Sequence, residues 1–315
     1  MSIINKIIGF MLLIPALCGL FSSDAKDTEE AYLSRVSEIS FDNTIETAIP
    51  QTELYDIIKN HFTSPLPEGK TEKKAIVIGY DGCRADALDM MPAQFSGINK
   101  MVSNGASFNI SYCGGVNYPA ENTQATSTAP GWCSILTGVW ADKHGITDNG
   151  IPKSLEYKTL LVSLVEDETI DSASFITRWD GHFEKDNSTY KLEKDYCEEK
   201  GLDVEYICCA EDFTCANATI SNIKRDDCSD FIFAIYEGPD AAGHGFGFST
   251  NSPLYEAGFV INDILAYSTI NAIENRDNYE NEDWLIILAS DHGGFETGHG
   301  GDTVQERMTF FVCNK

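Results

Sequence analysis

Three aspartates and three histidines stand in glycine-flanked turns near the ends of apolar runs, and together they have the chemistry of a divalent-metal site. Asp81 follows the run Ala75–Tyr80, Asp240 lies just beyond Phe231–Tyr236, and Asp291 just beyond Trp284–Ala289. Asp240-Ala-Ala-Gly-His244 spaces a carboxylate and an imidazole four residues apart, and Asp291-His292 sets them side by side. His299 follows between Gly298 and Gly300. Mixed carboxylate and imidazole donors suit zinc, and a more oxygen-rich set accepts Mg²⁺ or Mn²⁺. One aspartate at a strand end is ordinarily a cap or turn residue. Three in equivalent places, two with histidines attached, read as ligands.

A fourth segment runs Thr128-Ala-Pro-Gly-Trp-Cys-Ser-Ile-Leu-Thr-Gly138 and reads as a turn entering a helix, with Pro130 in its first turn. A hydroxyl there faces free backbone N–H groups and the positive end of the helix dipole. That setting favours an attacking oxyanion and a bound phosphate. Taken alone, Thr128 would be only a helix N-cap.

The elements that must position these residues follow from the same runs. Uninterrupted apolar stretches of this length fit strands buried on both faces, as in a parallel sheet. Further strands are expected at Ser174–Thr177 and near Thr309–Val312, and a helix around Glu53–His61. Ser252-Pro253 starts a long helix toward Arg276, on which Phe259, Ile261, Ile264, Leu265, Tyr267, Ile270 and Ile273 recur at helical spacing. The expected fold is therefore α/β, a three-layer sandwich around a mostly parallel central sheet. In open α/β sheets ligands bind beyond the carboxyl ends of the strands, so Asp81, Asp240 and Asp291 would converge there. Residues 182–229 break the rhythm: acidic, rich in cysteine and weakly periodic, they read as an insertion forming a cap or lobe.

Composition bounds the setting. With 315 residues, 43% of them hydrophobic, the chain can bury a substantial core. Lys6 followed by the apolar stretch Ile7–Leu20 and then Ser22, Ser23 and Asp24 reads as a secretory signal over residues 1–25. No second run is long enough to span a membrane, so an exported protein without a stable span is expected, a signal anchor being the alternative. Residues 26–70 read as a lead-in and 71–315 as the catalytic domain. Five cysteines (Cys197, Cys208, Cys209, Cys215, Cys228) crowd one polar stretch, which in an oxidising compartment reads as a local disulfide staple. A net charge of −27, from 49 acids against 22 bases, argues against tracking along a nucleic acid or an anionic membrane.

In order along the chain stand Asp81-Gly-Cys-Arg84, Thr128-Ala-Pro with Ser134-Ile-Leu-Thr-Gly138 and Lys143-His-Gly-Ile146, Pro239-Asp240 with Gly243-His244, and Ser290-Asp-His-Gly293. This series resembles the alkaline phosphatase superfamily, most closely its type I phosphodiesterase/nucleotide pyrophosphatase branch, from about residue 74 to the end of the sequence. The resemblance implies an alkaline-phosphatase-like fold and two divalent ions, usually zinc. It implies that Asp240, His244 and His299 hold one ion, and that Asp81, Asp291, His292 and the Thr128 oxygen hold the other. Thr128 would then be the nucleophile, forming a phospho-threonine that water hydrolyses from the opposite face. Asn149 matches the branch's asparagine that donates to a phosphate oxygen. The implied substrate is a small phosphate ester, a nucleotide or similar.

Three departures accompany the match. Gly131 stands where nucleotide-cleaving members carry an asparagine, His299 follows Asp291-His292 much sooner than the branch's last histidine does, and 182–229 replaces regions that shape substrate choice. A sulfatase is disfavoured, since Thr128 cannot become formylglycine and Trp132 stands where the sulfatase arginine would be. The site equally suits a phosphomonoesterase, and an acidic binding protein without turnover is the non-enzymatic alternative. Arg84 and His144 read as structural, Cys83 and Cys133 as buried or disulfide-bonded. Trp132 and Phe246 read first as core residues, with a base or lipid pocket as the alternative.

Overall fold

Eight strands form one sheet in the order β1-β3-β8-β7-β2-β6-β4-β5. They are β1 (Ile49–Pro50), β2 (Glu72–Tyr80), β3 (Ser107–Tyr112), β4 (Ala173–Thr177), β5 (Val204–Cys208), β6 (Phe231–Tyr236), β7 (Glu282–Ala289) and β8 (Met308–Cys313). The structure, a computed structural model, describes residues 27–39, 48–116 and 124–315. The secretory signal read at 1–25 lies outside the described residues. No described helix is long and apolar enough to cross a membrane.

The centre of the sheet is β7-β2-β6-β4, all parallel, as the apolar runs require. Side chains alternate between faces along a strand. On β2, Ala75 and Val77 therefore join one core, with Leu54, Ile58, Trp132, Leu136, Leu160 and Phe233. Ile76, Ile78 and Tyr80 join the other, with Phe259, Ile270, Ile273 and Leu288. Helices cover both faces, which makes the expected three layers. The largest cover is the helix Pro253–Glu274, started by Ser252, whose hydroxyl accepts from the Tyr255 N–H at 3.4 Å. Each large apolar side chain that it buries fully contributes roughly 1.5–3 kcal/mol.

The sheet is mostly parallel, as expected, with β8 running antiparallel to both of its neighbours, β3 and β7. The stretch 182–229 does not stand off as a cap alone: it supplies β5, which pairs parallel with β4 at the sheet edge, and two helices, Lys191–Lys200 and Asp212–Ile223. An edge strand is covered on fewer sides, so β5 needs fewer apolar residues and escapes a search for apolar runs. The disulfide staple is not formed. All nine described cysteines are free thiols; Cys208 ends β5, and Cys209 next to it lies against Cys215 of the helix Asp212–Ile223. Cys197 lies against the Tyr206 hydroxyl, Cys208 against the Arg178 carbonyl and Cys228 against the Ser229 carbonyl. The lead-in is also part of the core, because Leu54, Ile58 and Phe62 of the helix Glu53–Thr63 pack into the first cluster.

Candidate active site

Because β7, β2 and β6 are adjacent and parallel, the turns after them open side by side. Asp81 N donates to Tyr236 O at 3.1 Å, and Asp240 N donates to Asp81 O at 3.1 Å, which lays the turns after β2 and β6 against each other. Gly82 makes this contact possible. Its φ is +64°, and a Cβ there would lie 2.7 Å from the Asp240 side chain and 2.8 Å from its Cα. Gly82 N also donates to Asp291 Oδ1 at 3.2 Å, which ties in the turn after β7.

Asp240 and His244 lie one turn apart on the helix Gly238–Phe246, with Pro239 in its first turn, so both side chains share a face. His244 Nε2 is 3.5 Å from Asp240 Oδ2. His299 arrives from the loop after β7, with its Nε2 3.1 Å from His244 Nε2 and 3.6 Å from Asp240 Oδ1. His292 Nε2 lies 3.6 Å from Asp81 Oδ1 and 3.4 Å from Asp291 Oδ2. Thr128 Oγ1 donates to Asp81 Oδ1 at 3.3 Å and lies 3.4 Å from His292 Nε2. All seven candidate ligands from the sequence thus meet in one place, contributed by four separate segments.

The arrangement fits cations. Each histidine has its Nδ1 on a backbone carbonyl: His244 on Thr297 at 3.0 Å, His299 on Thr126 at 3.1 Å, His292 on Gly293 at 2.7 Å. A carbonyl only accepts, so Nδ1 carries a proton in each, and Nε2 is the nitrogen left facing inward, free to bind a cation once it carries no proton of its own. Asp240 Oδ1 and Asp291 Oδ2 are buried with no hydrogen-bond partner. Donor atoms of Asp81, Asp291 and His292 lie within 4.8 Å of one another, as do those of Asp240, His292 and His299.

Electrostatics point the same way. Burial and the Asp81 charge push the Asp291 carboxyl well up and that of Asp240 to about 6. Burial would also raise Asp81, but the His292 hydrogen bond and charge and the Trp132 N–H outweigh it and hold Asp81 low. Burial would lower His292, yet the charges of Asp291 and Asp81 push it up to about 10. His299 is pushed down to about 3 by burial and by His292. The pocket holds more negative charge than its own residues offset, which a divalent cation would relieve.

Thr128 is the first residue of the helix Thr128–Thr137, and the N-cap is Ser127. The plain N-cap reading of Thr128 therefore fails. The free N–H groups expected at this helix start are fewer than supposed: Pro130 has none, and Ala129 N donates to Asn149 Oδ1 at 2.8 Å. That bond fixes the Asn149 amide so that its NH₂ remains for a ligand. Gly131 abuts the Asp291 turn, where a Cβ would lie 2.8 Å from Asp291 O.

Sequence reasoning missed two supports. Trp132 is fully buried against Gly79 and Phe233, as a core residue, but its Nε1 also donates to Asp81 Oδ2 at 2.8 Å. Its position one helical turn after Thr128 was the available signal. Phe248, not Phe246, backs the histidines: its ring lies 5.4 Å from His244, whereas Phe246, expected in the core, is 62% exposed. His144 is buried beside Ser134 and Lys153, and burial pushes it down to about 3, in keeping with a structural role. Cys83 and Cys133 are buried thiols.

The family model described as type I phosphodiesterase / nucleotide pyrophosphatase matches residues 75–305. No curated protein matches the chain. Among solved structures, murine ectonucleotide pyrophosphatase/phosphodiesterase 5, as an inactive variant in complex with AMP, is 18% identical with a TM-score of 0.47. That match covers 70% of this chain and 57% of the murine one, so this chain spans less than two thirds of that relative. The C-terminal periplasmic domain of EptC from Escherichia coli, in complex with zinc, is 13% identical, with 78% and 74% covered and a TM-score of 0.48. A 2-O GAG sulfatase is 11% identical, with 76% and 63% covered and a TM-score of 0.50, a likeness of fold alone.

Proposed function

Because the chain belongs to the type I phosphodiesterase/nucleotide pyrophosphatase family of the alkaline phosphatase superfamily, we propose that it is an exported hydrolase of small phosphate esters that uses two divalent ions and a threonine nucleophile. One observation carries the reading. Thr128 Oγ1 lies 3.3 Å from Asp81 and 3.4 Å from His292, whose Nε2 lies 3.4 Å from a buried Asp291 oxygen that no hydrogen bond satisfies.

Asp81, Asp291, His292 and Thr128 would hold one ion and Asp240, His244 and His299 the other; the donor set suits zinc. Bound there, the ions would lower the pKa of the Thr128 hydroxyl and offset charge on the phosphoryl group and the leaving oxygen. Asp81 keeps Oγ1 oriented, and Trp132 keeps Asp81 oriented. The Thr128 oxygen attacks phosphorus, the bond from phosphorus to the leaving oxygen breaks, and a phospho-threonine forms. Water then cleaves that ester from the opposite face and restores the hydroxyl. The Asn149 NH₂ donates to a phosphoryl oxygen throughout. Export rests on the basic and apolar start of the sequence, Lys6 and Ile7–Leu20.

Turnover of a nitrophenyl diester and a nitrophenyl monoester, with and without chelator, tests the reading. The diester should react faster, chelator should abolish turnover, zinc should restore it, and Thr128→Ala should lower kcat at least about 10³-fold. Chelator-insensitive turnover, or full activity in Thr128→Ala, would sink the mechanism. A faster monoester would make the protein a phosphomonoesterase. No turnover of either substrate by the zinc-loaded protein would favour a binding protein.

A further inference from the structure

Arg84, three residues beyond Asp81, is fully buried and uses all five of its N–H donors. Nε and one terminal nitrogen hold Asp86 at 2.8 and 2.9 Å. The two terminal nitrogens hold Asp27 at 2.6 and 3.1 Å, and one of them also donates to the Phe248 carbonyl at 2.5 Å. Asp27 does not belong to the sheet. It leads into the helix Glu29–Ile39, whose Arg35 donates to both carboxylates, to Asp86 and to Asp27 at 2.9 Å each. Tyr32 of the same helix lies under the Arg84 guanidinium at 5.0 Å, and Tyr32 and Val36 bury against Ala85, Ile110 and Met308.

Arg84 touches both halves of the candidate site from behind. Its backbone N–H donates to the Tyr255 hydroxyl at 2.9 Å, which in turn donates to Gly82 O at 2.9 Å, within the Asp81 turn. The Phe248 residue whose carbonyl it holds packs its ring 5.4 Å from His244 and 6.1 Å from His299. A guanidinium wholly out of water needs every donor met. Asp86 meets two; Asp27 supplies two of the other three contacts.

We propose that the segment from Asp27 to Val36 is a positioning element of the active site, in which Asp27 completes the partners of Arg84 and so fixes the Asp81 turn and the Phe248 wall behind His244 and His299. Asp27 touches no candidate ligand and is a positioning residue. Its consequence for turnover rests on the proposed function; its effect on the geometry does not.

The test compares full-length wild type, Asp27→Asn and Asp27→Glu by hydrogen exchange of the chelator-treated protein and by zinc affinity in competition with a chromogenic chelator. In Asp27→Asn, amides of 81–90 and 244–249 should exchange about 10-fold faster, and zinc should bind about 10-fold more weakly. Amides of the helix Leu160–Glu166 should not change, and Asp27→Glu should recover most of both effects. Wild-type exchange and affinity in Asp27→Asn would overturn the proposal. So would faster exchange spread evenly over the chain, which marks a general loss of stability. If Asp27→Asn leaves no folded protein, Arg35→Gln takes its place: a smaller rise at the same amides supports the proposal and none overturns it. Absence of phosphoesterase turnover in wild type would count against the proposed function, while exchange and zinc affinity would still decide this one.

Discussion

His244 and His299 face each other Nε2 to Nε2 at 3.1 Å, with both Nδ1 atoms committed to carbonyls. Two inward lone pairs at that distance repel unless positive charge sits between them, and Asp240 lies 3.5–3.6 Å from both. The geometry is relaxed only with a cation or a shared proton.

The first prediction follows from that pair. His299→Ala and His244→Ala should each weaken zinc binding at one of two sites by at least about 100-fold, more than loss of an outer partner costs. Zinc per chain, measured by atomic absorption after gel filtration, should fall from two to one. If His299→Ala keeps both ions at wild-type affinity, its ligand role fails while the remaining set stands.

Protons should compete with the ions, and the sign can be worked out. His292 is pushed up to about 10 from an ordinary 6.5, burial opposing and the charges of Asp291 and Asp81 prevailing. Stability from its proton is complete below pH 6.5 and is lost as pH rises through about 10. The metal-free protein should therefore weaken between about pH 7 and about pH 8.5, by up to ~1.4 kcal/mol per pH unit. His61, His144, His182 and His299 are pushed down by burial, so their contributions are complete above about pH 7 and do not oppose the trend. Cations replace the His292 proton, so the gap between unfolding temperatures of zinc-loaded and chelator-treated protein should widen over that range. A gap that narrows would contradict the assignment of His292.

The sheet centre was legible because β2, β6 and β7 each end in an unbroken run without charged residues, Ala75–Tyr80, Phe231–Tyr236 and Trp284–Ala289, with an acid close after each. Parallel neighbours then bring those acids together without further information. What local pattern does not carry is direction and cover. The short run Met308–Cys313 reads the same in either direction, and its antiparallel pairing depends on where β3 and β7 already lie. Trp132 shows the same limit at the site. Its indole N–H reaches Asp81 only because the helix Thr128–Thr137 crosses β2 over Gly79, where a Cβ would lie 2.7 Å from the indole. Composition around Trp132 says core, and the core reading is right but incomplete.

Gly131 supplies a prediction about specificity. The resemblance makes an asparagine here attractive for nucleotide cleavage, yet a Cβ at 131 would sit 2.8 Å from Asp291 O and 2.9 Å from Asp291 Cβ. The carbonyl is backbone and cannot turn aside, so the Asp291 turn must shift. Gly131→Asn should cost about 1–3 kcal/mol in stability and lower kcat at least about tenfold for any substrate, since small displacements at reacting groups are costly. A variant that gains nucleotide turnover at unchanged stability would show that the helix can move back.

Asn149 separates positioning from catalysis most cleanly. Its Oδ1 accepts from Ala129 N at 2.8 Å, which holds the helix start, while its NH₂ is the group left for a phosphoryl oxygen. Asn149→Asp keeps an acceptor for Ala129 N and replaces the donor with a negative charge. Asn149→Ala removes both. If the amide serves the transition state, Asn149→Asp should fold with unchanged stability yet lose more activity than Asn149→Ala, because a carboxylate repels the phosphoryl group. Asn149→Ala itself should lower kcat by about 10–10²-fold, short of a full oxyanion-hole donor because the ions share that load. It should also lose about 1 kcal/mol from the unpaired Ala129 N–H. The opposite order, with Asn149→Asp near wild type in turnover and Asn149→Ala impaired, would assign Asn149 to the helix alone.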